Sequence, residues 1–166
     1  VSQLLKSCLD DLKLTIDSME PLEDDLLLLL ATLRYRLGPR IESSGVALQW
    51  NVKEVPALDW LDPTSALHIL RIAQESIANV LRHTRATEIR IGTAAEASGV
   101  RVTIEDNGHG FDVDKAMAEG GRGMQNQLRR AQAVGGTVSW RSGPAGTLFT
   151  LWLPLRREGE GRAALA

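Results

Sequence analysis

The sequence predicts an α+β protein: a two-layer sandwich in which a mixed, mostly antiparallel sheet carries helices on one face. Helical and strand periods follow one another as helix, helix, strand, helix, strand, strand, helix, strand, strand. Adjacent strand pairs with helices between them pack as a sheet covered by helices. The 166 residues, 43% hydrophobic and 24% charged, suffice for one such domain with its own core and an appended element.

The first helix is read from Leu5, Leu9, Leu12 and Ile16 in "LLKSCLDDLKLTIDSM", apolar at a helical period. "EPLEDD" interrupts it with a proline and acids suited to a new helix N-terminus. The second helix should run from about Leu22 to Glu42, with a break or kink at Gly38-Pro39. Its five leucines, Leu26–Leu30, cover more than one face. Either the helix is buried on two sides or one side meets a second subunit. "GVALQWNV" (45–52) alternates as a strand, "VPALDWLDP" is a loop, and Asp62-Pro63 supplies the cap and first turn of a helix over 63–83. Strands at 88–94 and 100–106 flank a turn at Ser98-Gly99, and a glycine-punctuated loop fills 107–123. The helix "MQNQLRRAQAV" stops at Gly135-Gly136, and "TVSWRS" with "GTLFTLWLP" forms a closing hairpin. The charged tail after Leu155 reads as loose. The organisation expected is thus a helical segment at 1–44, a domain at 45–155 and a tail at 156–166.

A net charge of −2 argues against broad binding to nucleic acid or acidic membranes. One cysteine, Cys8, cannot form an internal disulfide, so nothing points to an oxidising compartment. The apolar run Leu26–Ala31 is far shorter than the roughly 20 residues a membrane-spanning helix needs. The chain opens at Val1 in helical character without an initiator methionine, and reads as part of a longer protein.

On the helix over 63–83, Leu67, Ile69, Leu70, Ala73, Ile77, Val80 and Leu81 share one side. His68, Glu75, Asn79, Arg82 and His83 fall on the other. Glu75 and Asn79, four apart, stack one turn from each other. A carboxylate beside an amide oxygen is hard-oxygen chemistry that suits magnesium, which keeps waters and needs only one or two protein ligands. Arg82 is placed to reach a phosphate. The same residues equally describe a solvated polar face, and the helix alone does not decide.

Four segments in order change the odds. "QESIANVLRH" (74–83), "DNGHGFD" (106–112), "GGRGMQNQLRRAQAVGG" (120–136) and "SGPAGTLFTLWLP" (142–154) resemble the asparagine-box, the two glycine-box and the glycine-rich C-terminal motifs of the ATP-binding domain of two-component sensor histidine kinases. That domain has the Bergerat fold of the GHKL superfamily. The form "QE…N…RH" with a short glycine loop resembles the nitrate-sensor class. The likeness covers about 45–155, and "CLDDLKLTIDSMEP…LLATLRYRL" resembles the helical segment that joins dimerisation helices to such a domain.

The resemblance implies ATP and Mg²⁺ as cofactors, and a role for each matching residue. Asp106 would accept a hydrogen bond from the adenine amino group, where guanine presents a carbonyl. Gly108 and Gly110 would let the backbone approach the base and turn into a lid. Gly120, Gly121 and Gly123 precede a helix whose free N–H groups favour phosphate. Thr147 would help line the adenine site. Asn79 would hold magnesium, Arg82 and His83 would form a basic pair near the phosphates, and Glu75 matches an acid that serves as general base in related ATPases.

Such a kinase needs a phosphoacceptor histidine on a helix, followed by acids. His83 and His109 belong to the nucleotide motifs, and His68 lies on the nucleotide-domain helix, so none of the three fits. The acceptor is expected upstream of Val1, with homodimerisation through helices there, a response regulator as partner, and a cytoplasmic location, either free or attached to a membrane-bound sensor. Two alternatives remain: an anti-sigma-factor-type serine kinase, and a non-catalytic nucleotide-binding or dimerisation module. Gyrase-type motors and chaperone ATPases carry a longer lid and a following domain, and the chain ends soon after "LPLRREGEGR".

Overall fold

A computed structural model describes residues 25–119 and 121–156. The expected first helix, Gly120 and the end of the charged tail lie outside the described residues. Within them the order is α1 (Leu26–Ser43), β1 (Ala47–Asn51), α2 (Pro63–His83), β2 (Glu88–Ala95), β3 (Gly99–Asp106), α3 (Val113–Ala118), α4 (Arg122–Ala133), β4 (Thr137–Gly143) and β5 (Gly146–Pro154).

The five strands form one sheet in the order β1-β2-β3-β5-β4. β1 pairs parallel to β2 through the α2 crossover, and the other three pairs are antiparallel. The expected mixed, mostly antiparallel sheet is therefore present. Alternation decides the inner face: Ile89 and Ile91 of β2, Val100, Val102 and Ile104 of β3, and Phe149, Leu151 and Leu153 of β5 are all buried. Helices α1, α2 and α4 cover that face and share one core with it.

Local signals explain most boundaries. The Asp62 carboxylate accepts from the Ser65 backbone N–H at 2.7 Å, and Pro63 occupies the first turn of α2. At the other end of the layer, α4 closes on Gly135 at φ 74°, with the Gly136 N–H donating to the Ala131 carbonyl at 2.8 Å. That is a glycine-dependent stop, because the left-handed position is costly for residues with a Cβ. The loop before α2 is pinned by the Trp60 indole N–H, which donates to the Pro154 carbonyl at 2.7 Å.

Three expectations are corrected. Helix α1 does not break at Gly38-Pro39 but runs through Pro39 to Ser43. Leu37 and Ile41 are buried on either side of the proline, so core packing holds the helix across it. The carbonyl that loses its donor belongs to Tyr35, on the exposed side where water can satisfy it. Second, the loop expected over 107–123 contains a short helix, α3, capped by the Asp112 carboxylate accepting from the Lys115 N–H at 3.0 Å. Third, α1 is buried along one face: Leu26, Leu29, Leu30, Leu33 and Leu37 enter the core while Leu28 is exposed. Helix α2 also buries more than its aliphatic stripe, since Ala66, Ile72 and Ser76 are covered as well.

Candidate functional site

Between α2, the end of β3, the start of β5 and the 109–124 segment lies a cavity of about 520 Å³. Two cross-strand rows of the inner sheet face make its floor. Register pairs Asp106 with Thr147 and Thr147 with Ser142; one step along, Ile104 pairs with Phe149 and Phe149 with Trp140. A polar row therefore runs beside an apolar one. Val80 and Ser76 of α2 and Met124 of α4 line the cavity above them.

Asp106 is 5% exposed, at the end of β3. Its carboxylate accepts from the Gly108 backbone N–H at 2.8 Å, and the Thr147 backbone N–H also points at it. Burial pushes its pKa above the ordinary carboxylate value, only partly offset by these two N–H groups and by nearby His109. A carboxylate has more acceptor positions than these two donors fill, and it faces the cavity. Thr147 is buried beside it, and its hydroxyl meets that of Ser142 at 2.8 Å. The Ser142 hydroxyl also accepts from the Phe111 N–H at 2.8 Å, which joins the polar row to the loop at the cavity mouth.

The neighbouring residues of "DNGHG" act on the chain itself. Asn107 accepts from the Thr87 and Glu88 backbone N–H groups at 2.8 and 3.0 Å, and donates to the Thr87 hydroxyl at 2.9 Å. It fastens the exit of β3 to the entry of β2. Gly108 does not line the cavity; a Cβ there would strike the Thr84 backbone and side chain. Gly110 does line it, at φ 73°, and its Cβ would strike the Gly143 carbonyl. The approach that excludes side chains at 108 and 110 is thus to protein backbone rather than to open space.

On the α2 wall, Glu75, Asn79, Arg82 and His83 all line the cavity. The Arg82 guanidinium folds back along the helix, with Nη2 3.5 Å from Glu75 Oε1 and 3.4 Å from Asn79 Oδ1. A cation already sits on both oxygens, so they form a place where positive charge is accommodated. Among the described residues no three His, Cys, Asp or Glu side chains gather to hold a metal. That donor set fits magnesium only when phosphates and waters complete its shell. Gly121 and Gly123 also line the cavity, and Gly121 caps α4 without a side-chain hydrogen bond. The first N–H groups of α4 have no intrahelical acceptor and favour an anion. Gly123 lies directly against Glu75, for a Cβ there would meet its Oε1.

The arrangement offers a buried carboxylate at the inner end and cation- and anion-binding groups at the rim. The family model described as histidine kinase-, DNA gyrase B- and HSP90-like ATPase matches residues 64–157. The chain belongs to this ATPase family.

Among curated relatives of this ATPase domain, the sensor protein VraS of Staphylococcus haemolyticus is 36% identical over 94 residues, covering 56% of this chain and 27% of that protein. VraS of Staphylococcus saprophyticus is 38% identical over 92 residues, 55% and 26% of the two chains. This chain thus matches about a quarter of the length of those relatives. The histidine kinase domain of the blue-light activated histidine kinase of Erythrobacter litoralis superposes with a TM-score of 0.62 at 25% identity, over 76% of this chain and 65% of that one. The Acinetobacter baumannii histidine kinase AdeS shares the fold at a TM-score of 0.67 and 15% identity, over 92% and 76% of the chains. Within this family, the ATPase domain of the chain is homologous to that of the VraS sensor proteins.

For this ATPase domain, the sequence reading of Glu75, Asn79, Arg82, His83, Asp106, Gly110, Gly121, Gly123 and Thr147 names residues that share one cavity. It missed Ser76, Val80, Ile104, Met124, Trp140 and Phe149, which line the same space, and Ser142, which braces it. Strand alternation already placed Ile104, Trp140 and Phe149 on one side of each strand; only the pairing of β3, β5 and β4 put them in one row.

Proposed function

We propose that this chain is the Mg-ATP-binding catalytic part of a sensor histidine kinase of the nitrate-sensor class. It transfers the γ-phosphoryl group of ATP to a histidine upstream of Val1, for relay to an aspartate of a response regulator. The observation that carries this reading is Asp106, a buried carboxylate with spare acceptor capacity facing a nucleotide-sized cavity. In this reading Asp106 accepts from the adenine amino group, and Thr147 with its Ser142 contact lines the same edge. Gly110 shapes the loop there, and Gly108 seats it on Thr84. The α4 N-terminus, with Gly121, Gly123 and Gly120 (the last outside the described residues), receives phosphates together with Arg82 and His83.

Asn79 would hold Mg²⁺, with Glu75 as the neighbouring acid and candidate general base. The metal, when bound, offsets phosphate charge as the γ-phosphoryl moves, and the chain's own contribution is mainly positioning. Residues 1–44 serve as the linker from dimerisation helices, residues 45–155 as the catalytic domain and 156–166 as a tail. Among the described residues no helix is long and apolar enough to cross a membrane, and a cytoplasmic placement of this part belongs to the same proposal. The nitrate-sensor assignment is supported by "QE…N…RH" together with the short glycine loop.

Incubation with radiolabelled ATP, followed by acid and alkali treatment, tests the proposal, since phosphohistidine is acid-labile and alkali-stable. The chain alone should bind ATP without labelling itself. His68 meets Arg130, with the guanidinium 3.3 Å from Nδ1, and His109 Nδ1 lies 2.7 Å from the Gly110 carbonyl. Joined to the upstream helical segment, it should label a histidine there. Robust acid-labile label on this chain alone contradicts the assignment, and acid-stable label on serine or threonine of an added partner favours an anti-sigma-type kinase.

A further inference from the structure

We infer that Trp140 is a base-binding and specificity-determining residue of this nucleotide site, its indole forming the outer half of the surface on which adenine packs. The inference rests on the ATP-site reading and adds a residue that none of the four motif segments contains. Trp140 lies mid-way along β4, directly opposite Phe149 of β5, with ring centroids 5.7 Å apart at 58°. Phe149 in turn pairs with Ile104 of β3. These three side chains form the apolar row beside the Asp106–Thr147–Ser142 row, and all three line the cavity.

A planar base whose amino edge is held by Asp106 meets this neighbouring row with the rest of its ring. A tilted Trp–Phe pair presents apolar, polarisable surface there, which favours a flat aromatic ligand over a compact aliphatic one.

Trp140 also marks the limit of the site. With His109, Gly110 and Phe111 it lines both the nucleotide cavity and an adjoining open groove that continues over Asp112 and Pro144. Phe111, 37% exposed, is held to the same strand by its N–H bond to the Ser142 hydroxyl. The indole therefore stands as a partition between cavity and groove. A smaller residue at 140 would merge the two and leave the outer face of the base against water. The other tryptophans are placed elsewhere: Trp60 is buried and bonded to Pro154, Trp50 lies under the Arg34 guanidinium at 5.0 Å, and Trp152 packs on Gly99.

The test is calorimetric titration of the full chain and its Trp140→Ala and Trp140→Phe variants with ATP and with adenosine, alongside tryptophan emission. Trp140→Ala should weaken ATP and adenosine by the same factor, about tenfold, because the lost contact is to the base. Trp140→Phe should recover most of it. ATP should quench the parent's emission, and the quench should vanish in Trp140→Phe while persisting in Trp50→Phe. If Trp140→Ala unfolds, Trp140→Phe and the quench measurement decide. A folded Trp140→Ala that binds ATP as the parent does, or a quench that survives in Trp140→Phe, overturns this inference and leaves the nucleotide site standing. A parent chain that binds no ATP overturns both.

Discussion

The Arg82 guanidinium rests on the Asn79 amide oxygen, Nη2 to Oδ1 at 3.4 Å, while also reaching Glu75 at 3.5 Å. The residue proposed to hold a metal and the one proposed to hold phosphate are thus in direct contact. Asn79→Asp should turn this contact into an ion pair. With the Arg82 side chain 43% exposed, that pair stabilises the fold by no more than about 1 kcal/mol. Unfolding should then be unchanged or slightly later, while the magnesium-dependent part of ATP binding falls because Arg82 is held back. Nucleotide titration with and without Mg²⁺ checks this. An unchanged magnesium dependence would return Asn79 to an ordinary helix-surface role.

Asp106→Asn separates binding from stability. Burial raises the Asp106 pKa, so the folded value lies above the unfolded one. The group's contribution to stability is then fully present below the unfolded pKa and is lost as pH rises through the folded pKa. At neutral pH the buried charge is a cost to folding that Asn removes, while its Oδ1 can still accept from Gly108. The melting temperature at pH 7 should therefore not fall. ATP affinity should drop by about 1–3 kcal/mol, because the amide adds donors facing the adenine amine. GTP should bind the parent more weakly than ATP. Calorimetry showing equal ATP affinity for parent and variant would remove Asp106 from the base site.

Gly110→Ala and Gly121→Ala should differ in stability. At Gly110 the φ of 73° costs a residue with a Cβ about 1–2 kcal/mol, and the methyl would press on the Gly143 carbonyl. At Gly121 the added methyl lies 3.4 Å from the Ala116 carbonyl, with ordinary φ, so the cost should stay below about 1 kcal/mol. Urea unfolding compares them directly, and equal midpoints would contradict the loop geometry.

Gln127 anchors α4 to α2. Its Nε2 donates to the Ile72 carbonyl at 3.0 Å and the Ser76 hydroxyl at 2.8 Å, whereas its buried Oε1 has no partner. Gln127→Ala should cost about 1–3 kcal/mol in chemical denaturation. Gln127→Leu should cost less than Gln127→Ala, since it fills the space that Ala leaves empty at this buried position. A Leu variant less stable than the Ala variant would mean that the space between α4 and α2 does not accept a branched apolar side chain.

What the sequence determined by itself was local. Asp62-Pro63 and Gly135-Gly136 act through their own φ preferences and nearest carbonyls and N–H groups, so helix ends were legible without a partner element. Alternation in β2, β3 and β5 marked an inner side, and four ordered segments marked the nucleotide domain. Tertiary structure alone decided which inner residues meet. Trp140, Phe149 and Ile104 become a row only because β5 lies between β3 and β4 in one particular register. Pro39 stays helical because Leu37 and Ile41 are held in a core that α2 and the sheet complete. Gly108 and Gly110 are required by backbone at Thr84 and Gly143, brought near by packing rather than by adjacency in the chain. Helix caps depend on a few torsions within one turn; rows, linings and close approaches depend on where distant segments settle, which no local period encodes.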